Sequence, residues 1–179
     1  TLLGEGGISL LVVAGVAGAA AAHLRAGDVV LPAKVAELSG GKTHIAALHL
    51  AGRGFAARPP VHAGGIAYTA HRVCGAGDKA VLRERDPGAA IVDMESFHAC
   101  EAAARRGVPC LVVRGVSDTA DFCFPKIVVA DRKSLRDVFG NFPWNPAELV
   151  RLVRLWRDCD AAAANMAAVL ACVLKDIVI

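Results

Sequence analysis

The chain has 179 residues, 55% of them apolar and 21% charged, and a formal net charge of +3. That composition supplies a sizeable core and excludes a disordered chain. So slight a charge, with 5% aromatic residues and no Lys/Arg run interleaved with them, argues against nucleic acid as a partner. The length fits one domain over residues 1–179, with an α/β core to residue 145 and closing helices over 146–179.

In chain order, residues 1–7 suggest a helix end and a turn, leading into an apolar strand over 8–14. Gly15 and Gly18 then bound a small-residue loop with Val16 and Ala17 at its middle. Residues 28–37 predict a strand with Pro32 inside it, which implies an edge position or a bulge. A turn follows at 39–42, residues 43–50 fit a strand or a helix, and 52–60 form a loop rich in Gly and Pro. Residues 61–74 predict one or two strands, and the glycine pair at 64 and 65 suggests a bulge or a close backbone approach.

The next helix, 77–85, is short and charged, with Lys79 near its start and Asp86, Pro87 and Gly88 closing it. An apolar strand over 89–92 leads to a turn of Asp93, Met94 and Glu95 and a helix to about Arg106. A second apolar strand, 110–113, closes on Arg114, Ser117, Asp118 and Asp121. Two buried-type strands joined by a helix predict a βαβ unit, whose ligand crevice lies at the carboxyl ends of its strands. Both polar clusters fall there, so the pattern brings two acids and a guanidinium to one rim. Glu95 and Asp118 are equally the residue types that stabilise helix starts, and taken singly each fits that use as well.

Beyond Asp121, residues 131–139 suggest a helix, and Asn145 is placed to cap another with Pro146 at its first position. The chain then reads as helical to Leu174, with a break near 158–160. Over 147–157, Leu149, Leu152, Val153 and Trp156 share one face, flanked by Arg151, Arg154 and Arg157. This is either a core-facing helix with solvated arginines or an interfacial one, in which Trp and snorkelling arginines meet lipid headgroups. The apolar stretches 8–22 and 161–174 fall short of the ~20 residues that cross a bilayer.

Six cysteines, at 74, 100, 110, 123, 159 and 172, show no C-x-x-C pair and no Cys/His ligand spacing. They predict reduced, buried thiols in a cytoplasmic protein and no metal site. His98, three residues after Glu95, fits a partly buried structural histidine better than a ligand.

The ordered combination of V-D-M-E-S at 92–96 and R-G-V-S-D-T-A-D at 114–121 resembles the nucleoside phosphorylase and nucleosidase superfamily. The glycine loop at 14–18 and G-D-V-V at 27–30 extend the resemblance over roughly residues 8–121. An arginine- and leucine-rich tail after Asn145 and Pro146 is most similar to the hopanoid-associated phosphorylases, which cleave adenine from adenosylhopane. The resemblance implies a three-layer α/β/α domain around a central mixed sheet, in which a first strand and helix would precede residue 1. It also implies no cofactor, a homo-oligomer, and an adenine nucleoside as substrate, a lipid-linked one, with phosphate and a membrane surface as further partners.

The chemistry implied is cleavage of a ribosyl C–N bond. Asp118 is the candidate acid that protonates the departing base, an effect worth ~10²–10⁴-fold. Glu95 would hold the sugar hydroxyls and gain favour as the ribosyl group becomes cationic, with Met94 packed on the ribose face. Arg114 would orient an acid and Ser117 would hold the Asp118 turn, while Asp93, Val73 and Gly18 complete the substrate site. Gly15, Val16 and Ala17 would receive the nucleophile. With no hydroxyl or arginine at the middle of that loop, and Arg25 the nearest cation in sequence, water is favoured over phosphate. The alternatives are a phosphorolytic relative and a nucleoside-binding subunit without turnover.

Overall fold

A computed structural model describes residues 7–39, 43–45, 60–125, 128 and 145–177. Eight strands form one mixed sheet in the order β4-β3-β6-β7-β1-β8-β2-β5. They are β1 (Leu11–Ala19), β2 (Val29–Leu31), β3 (Lys34–Glu37), β4 (Thr43–Ile45), β5 (Val61–Ala63), β6 (Ile66–Thr69), β7 (Ala89–Asp93) and β8 (Cys110–Asp118). Among the described residues three helices accompany them, α1 (Ala76–Arg85), α2 (Ser96–Ala104) and α3 (Pro146–Ile177). The expected helix over 131–139, the turn at 39–42, most of the loop at 52–60 and the start of the chain lie outside the described residues.

β8 is buried along all nine of its residues, as a strand must be when both faces of its sheet are covered. Its alternate side chains divide between two layers. Val112 and Val116 join Phe97, Cys100 and Ala103 of α2, whereas Leu111 and Val113 join Val169 and Val173 of α3. This is the expected α/β/α layering around a mixed sheet. α3 approaches the sheet closely at Gly115, where a Cβ would sit 2.8 Å from the carbonyl carbon of Ala162. Asn165, the polar residue inside the apolar stretch 161–174, donates to the Gly27 carbonyl at 2.8 Å and so ties the helix to the turn before β2.

Four expectations about the strands and helices change. First, the strand predicted to stop at Ala14 continues to Ala19, so Gly15, Val16 and Ala17 are strand residues rather than a loop. Every residue from Leu11 to Ala17 is paired in parallel register with β8, and that ladder outweighs the poor strand propensity of glycine. Second, Pro32 marks neither an edge nor a bulge. It separates β2, which lies between β8 and β5, from β3, which lies between β4 and β6. The connection at 32–33 joins strands far apart in the sheet order, and so does the turn at Gly64 and Gly65, which separates β5 from β6. Only a strongly curled sheet allows such short links.

Third, β7 and β8 are not parallel neighbours. β1 lies between them, antiparallel to β7 and parallel to β8, so α2 joins strands of opposite sense. Their polar ends still meet because β7 pairs with β1 only at Gly18↔Val92 and Ala19↔Ile91, and Gly18 pairs with Asp118 on its other side. Fourth, α3 runs without a break through Asp158 and Asp160. Neither Pro nor Gly occurs there, Asp158 pairs with Arg154 at 3.6 Å, and the propensity cost of an Asp is only a few tenths of a kcal/mol. The Asn145 cap is present, its Oδ1 accepting from the Ala147 N–H at 2.9 Å.

Cys74, Cys100 and Cys110 are buried as expected, but Cys123 and Cys172 are exposed, the latter on the outer side of α3. His98 is exposed rather than partly buried and stacks on His71 with ring centroids 6.0 Å apart. Among the described residues no helix is long and apolar enough to cross a membrane.

Candidate active site

Around Gly18 the ends of β7 and β8 and the start of α1 enclose a cavity of about 470 Å³. Met94, Glu95, Arg114, Asp118 and the backbone of β1 from Val13 to Gly18 line it, with Val73, Ser117 and Asp93 also on its wall. Every residue singled out from the sequence as a site candidate is therefore in one place. Arg25 is exposed and lies elsewhere.

Of the carboxylates on this cavity, Asp118 and Glu95 are in opposite states. Asp118 is 4% exposed and engaged at both oxygens. The Ser117 hydroxyl lies 2.8 Å from Oδ1, and the Lys79 ammonium, itself 1% exposed, is bound to Oδ2. Lys79 also donates to the Thr119 carbonyl at 3.1 Å and stands 5.6 Å from the centre of the Phe124 ring. Gly18 is required for this arrangement: a Cβ there would lie 2.8 Å from Asp118 Oδ2 and 2.9 Å from Lys79 Nζ.

The Glu95 side chain is 66% exposed and lies 3.4 Å from Arg114 Nη2. Glu95 occupies the cap position of α2, yet its carboxylate makes no capping hydrogen bond. Asp93 does that instead. Its Oδ1 accepts from the backbone N–H groups of Glu95 and Ser96, each at 3.2 Å, and from the Thr69 hydroxyl at 2.7 Å. Thr69 Oγ1 in turn accepts the Phe97 N–H at 2.9 Å. The helix-start use open to either acid in the sequence thus belongs to Asp93, which leaves Glu95 facing the cavity.

Arg114 sits opposite Gly15 in the β1–β8 register and is 3% exposed. Its Nε lies 3.0 Å from Asp93 Oδ2, and both Nε and Nη2 donate to the Ser96 hydroxyl, at 3.1 and 3.0 Å. Asp93 Oδ2 is near the guanidinium but outside hydrogen-bonding alignment, so this contact is one of charge rather than of a directed bond. At the cavity mouth, Arg72 grips Asp78 through two bonds of 3.0 and 2.7 Å and holds that carboxyl below the ordinary carboxylate range. Burial pushes the Cys74 thiol up. Among the described residues no three His, Cys, Asp or Glu side chains converge closely enough to share a metal ion.

With this geometry in place, residues 1–137 also match the model of the phosphorylase superfamily. The chain belongs to the phosphorylase superfamily. Solved structures of similar fold include a 5′-methylthioadenosine/S-adenosylhomocysteine nucleosidase from Neisseria meningitidis in complex with methylthio-immucillin-A. It is 17% identical over 89% of this chain and 68% of its own, with a TM-score of 0.55. The corresponding nucleosidase from Colwellia psychrerythraea 34H in complex with adenine is 20% identical over 84% and 67%, with a TM-score of 0.53. A variant of the Chlamydia trachomatis MTAN bound to MTA is 17% identical over 93% and 67%, with a TM-score of 0.52. At these identities the likeness is one of fold. This phosphorylase-superfamily chain spans about two thirds of the length of those proteins. No curated protein matches it.

Sequence reasoning missed Lys79, Thr69 and Ser96. Lys79 had a local signal, since it lies three residues before Leu82 and these two are the buried residues of α1. Ser96 closes the V-D-M-E-S motif, but its contact with Arg114 was not legible, and Thr69 had no signal, because its partners Asp93 and Phe97 are brought near by the fold alone.

Proposed function

We propose that this superfamily member is an N-ribosyl hydrolase that releases adenine from an adenine nucleoside carrying a hydrophobic 5′ group. The observation that carries the proposal is the pair of carboxylates on one cavity, Asp118 buried in its floor and Glu95 open at its wall. Breaking the C–N bond needs a proton delivered to the base and negative charge near the ribosyl group as it turns cationic. Asp118 is the group for the first task and Glu95 for the second. Met94, 44% exposed, offers an apolar surface to the ribose beside it. Asp93 and Arg114 act at one remove, fixing the turn from which Met94 and Glu95 project.

Water is the nucleophile on this account. Three cations border the cavity, and each is already matched by a carboxylate: Arg72 by Asp78, Lys79 by Asp118, and Arg114 by Asp93 and Glu95. An incoming phosphate dianion would meet compensated charges and the apolar Val16, whereas water needs no counter-charge.

The hydrophobic 5′ group is supported by the first half of α3. Leu149, Val150, Val153 and Trp156 are exposed, Trp156 by 68%, and the Arg151 and Arg154 side chains border a smaller cavity with Thr119, Asp121 and Phe122, just after Asp118. An apolar, cationic helix beside the site suits a nucleoside whose tail lies in a membrane, as in adenosylhopane. Adenine release from adenosines with methylthio, alkyl and polycyclic 5′ groups, with and without phosphate, tests the proposal. The expected result is phosphate-independent release that rises with the size of the apolar group; release that needs phosphate, or that falls with that size, would overturn the corresponding part.

A further inference from the structure

Lys79 is the one buried cation at the cavity that neither motif contains, and its surroundings assign it work. We propose that Lys79 is the source of the proton that Asp118 passes to the departing base. This rests on the reading of the cavity as a ribosyl hydrolase site, and it adds a positioning residue acting through Asp118.

Both side chains are almost fully buried, at 1% and 4%, and a buried pair is far cheaper to hold at net charge zero than with an unmatched charge. At net charge zero the two groups contain one shared proton beyond a bare amine and a bare carboxylate. That is the proton a departing base requires, whether it rests on nitrogen or on oxygen. The Ser117 hydroxyl at Oδ1 is a neutral donor, so Lys79 at Oδ2 is the group in contact with Asp118 that carries a proton to give. The Thr119 carbonyl and the Phe124 ring hold the ammonium in line with the carboxylate, and the bare Cα of Gly18 admits the pair to the cavity wall.

In the step, the proton moves from Lys79 Nζ to Asp118 and from Asp118 to a ring nitrogen of the base. The ribosyl C–N bond breaks and both its electrons leave with the base. Water adds to the ribosyl carbon and loses a proton to solvent, from which Lys79 is later recharged. The pair becomes net negative while the ribosyl group becomes positive beside it, so transfer is favoured in the transition state rather than in the resting site.

The test uses two substrates that differ in whether the leaving group needs a proton. A 5′-alkyl adenosine does; the 4-nitrophenyl β-ribofuranoside with the same 5′-alkyl group does not, because its phenolate leaves as a stable anion. Lys79→Met removes the proton source, and Lys79→Gln also removes it but keeps an N–H donor for Asp118 should the Met variant fold poorly. The expected result is a kcat for adenine release lower by about 10²–10⁴-fold, with a far smaller loss on the nitrophenyl riboside. Equal losses on both substrates in a folded variant, or an adenine rate that Lys79→Gln leaves intact, would overturn the role of Lys79 while the hydrolase reading stands. A parent protein that releases 4-nitrophenol but no adenine overturns it too. A parent that releases neither overturns the hydrolase reading, and this inference with it.

Discussion

The cavity floor and the first half of α3 are built on opposite rules. In the floor, Asp93, Arg114, Asp118 and Lys79 are nearly sealed from solvent, and each has an opposite charge within 3.0 Å. Along α3 Leu149, Val150, Val153 and Trp156 are exposed, while the second half of the same helix buries Ala162, Val169 and Val173 on the sheet. Polar groups buried in matched pairs are fixed before any ligand arrives, which is what a reaction that depends on placed charges needs. Apolar groups left in water have a use only when something apolar meets them. The contrast separates a set of charges that the fold itself completes from an apolar surface that it leaves open.

The largest effect is expected in the floor. Asp118→Asn removes the acid and should lower adenine release by about 10²–10⁴-fold. It also leaves the buried Lys79 ammonium without its carboxylate, so the variant should melt below the parent as well as react more slowly. A folded variant with near-normal release would remove Asp118 from the mechanism.

Next is Arg114→Met, which leaves Asp93 buried without a counter-charge. Unmatched buried charges of this kind cost about 3–5 kcal/mol, and the hydrogen bonds from Thr69 and two backbone N–H groups to Asp93 place this one at the low end. The midpoint of denaturant unfolding measures it. An unchanged midpoint would show that the guanidinium does not hold the turn.

Glu95→Gln touches the exposed acid and should spare stability. A hydrogen bond from a sugar hydroxyl to a carboxylate contributes about 1.5–3 kcal/mol, so ribonucleosides should lose much more in kcat/KM than their 2′-deoxy analogues. Equal losses would return Glu95 to a purely structural part.

The smallest effect is expected on α3. Each basic residue at an anionic surface contributes about 1 kcal/mol, so Arg151→Glu/Arg154→Glu should weaken co-sedimentation with anionic vesicles by roughly 30-fold at low salt. Their pairing with Glu148 and Asp158 makes that an upper figure. No binding by the parent, or binding indifferent to the reversal, would mean that the exposed face meets something other than lipid.

The same contrast explains what could be learned from the sequence. That Asp93 to Glu95 and Arg114 to Asp118 lie at one rim was legible because each group is contiguous and follows an apolar strand. Why they converge was not: the βαβ pattern suggested neighbouring parallel strands, whereas β1 intervenes and the convergence happens around Gly18. Lys79 was legible as a charge three residues before Leu82 on a short helix, but not as a partner of Asp118, which lies 39 residues away. For α3, the face picked by periodicity, Leu149, Leu152, Val153 and Trp156, is exposed except for the half-buried Leu152, and periodicity could not say where the sheet covers the helix. That depends on where Gly115 lets the helix approach.

The central claim is that the cavity joins water, not phosphate, to the ribosyl carbon as adenine leaves. Incubating the parent protein with a 5′-alkyl adenosine in phosphate-free water enriched in ¹⁸O tests this directly, by mass spectrometry of both products. The account predicts free adenine and one heavy oxygen on the ribosyl carbon. No adenine, or release that begins only when phosphate is added and yields a ribosyl phosphate without the label, would contradict it.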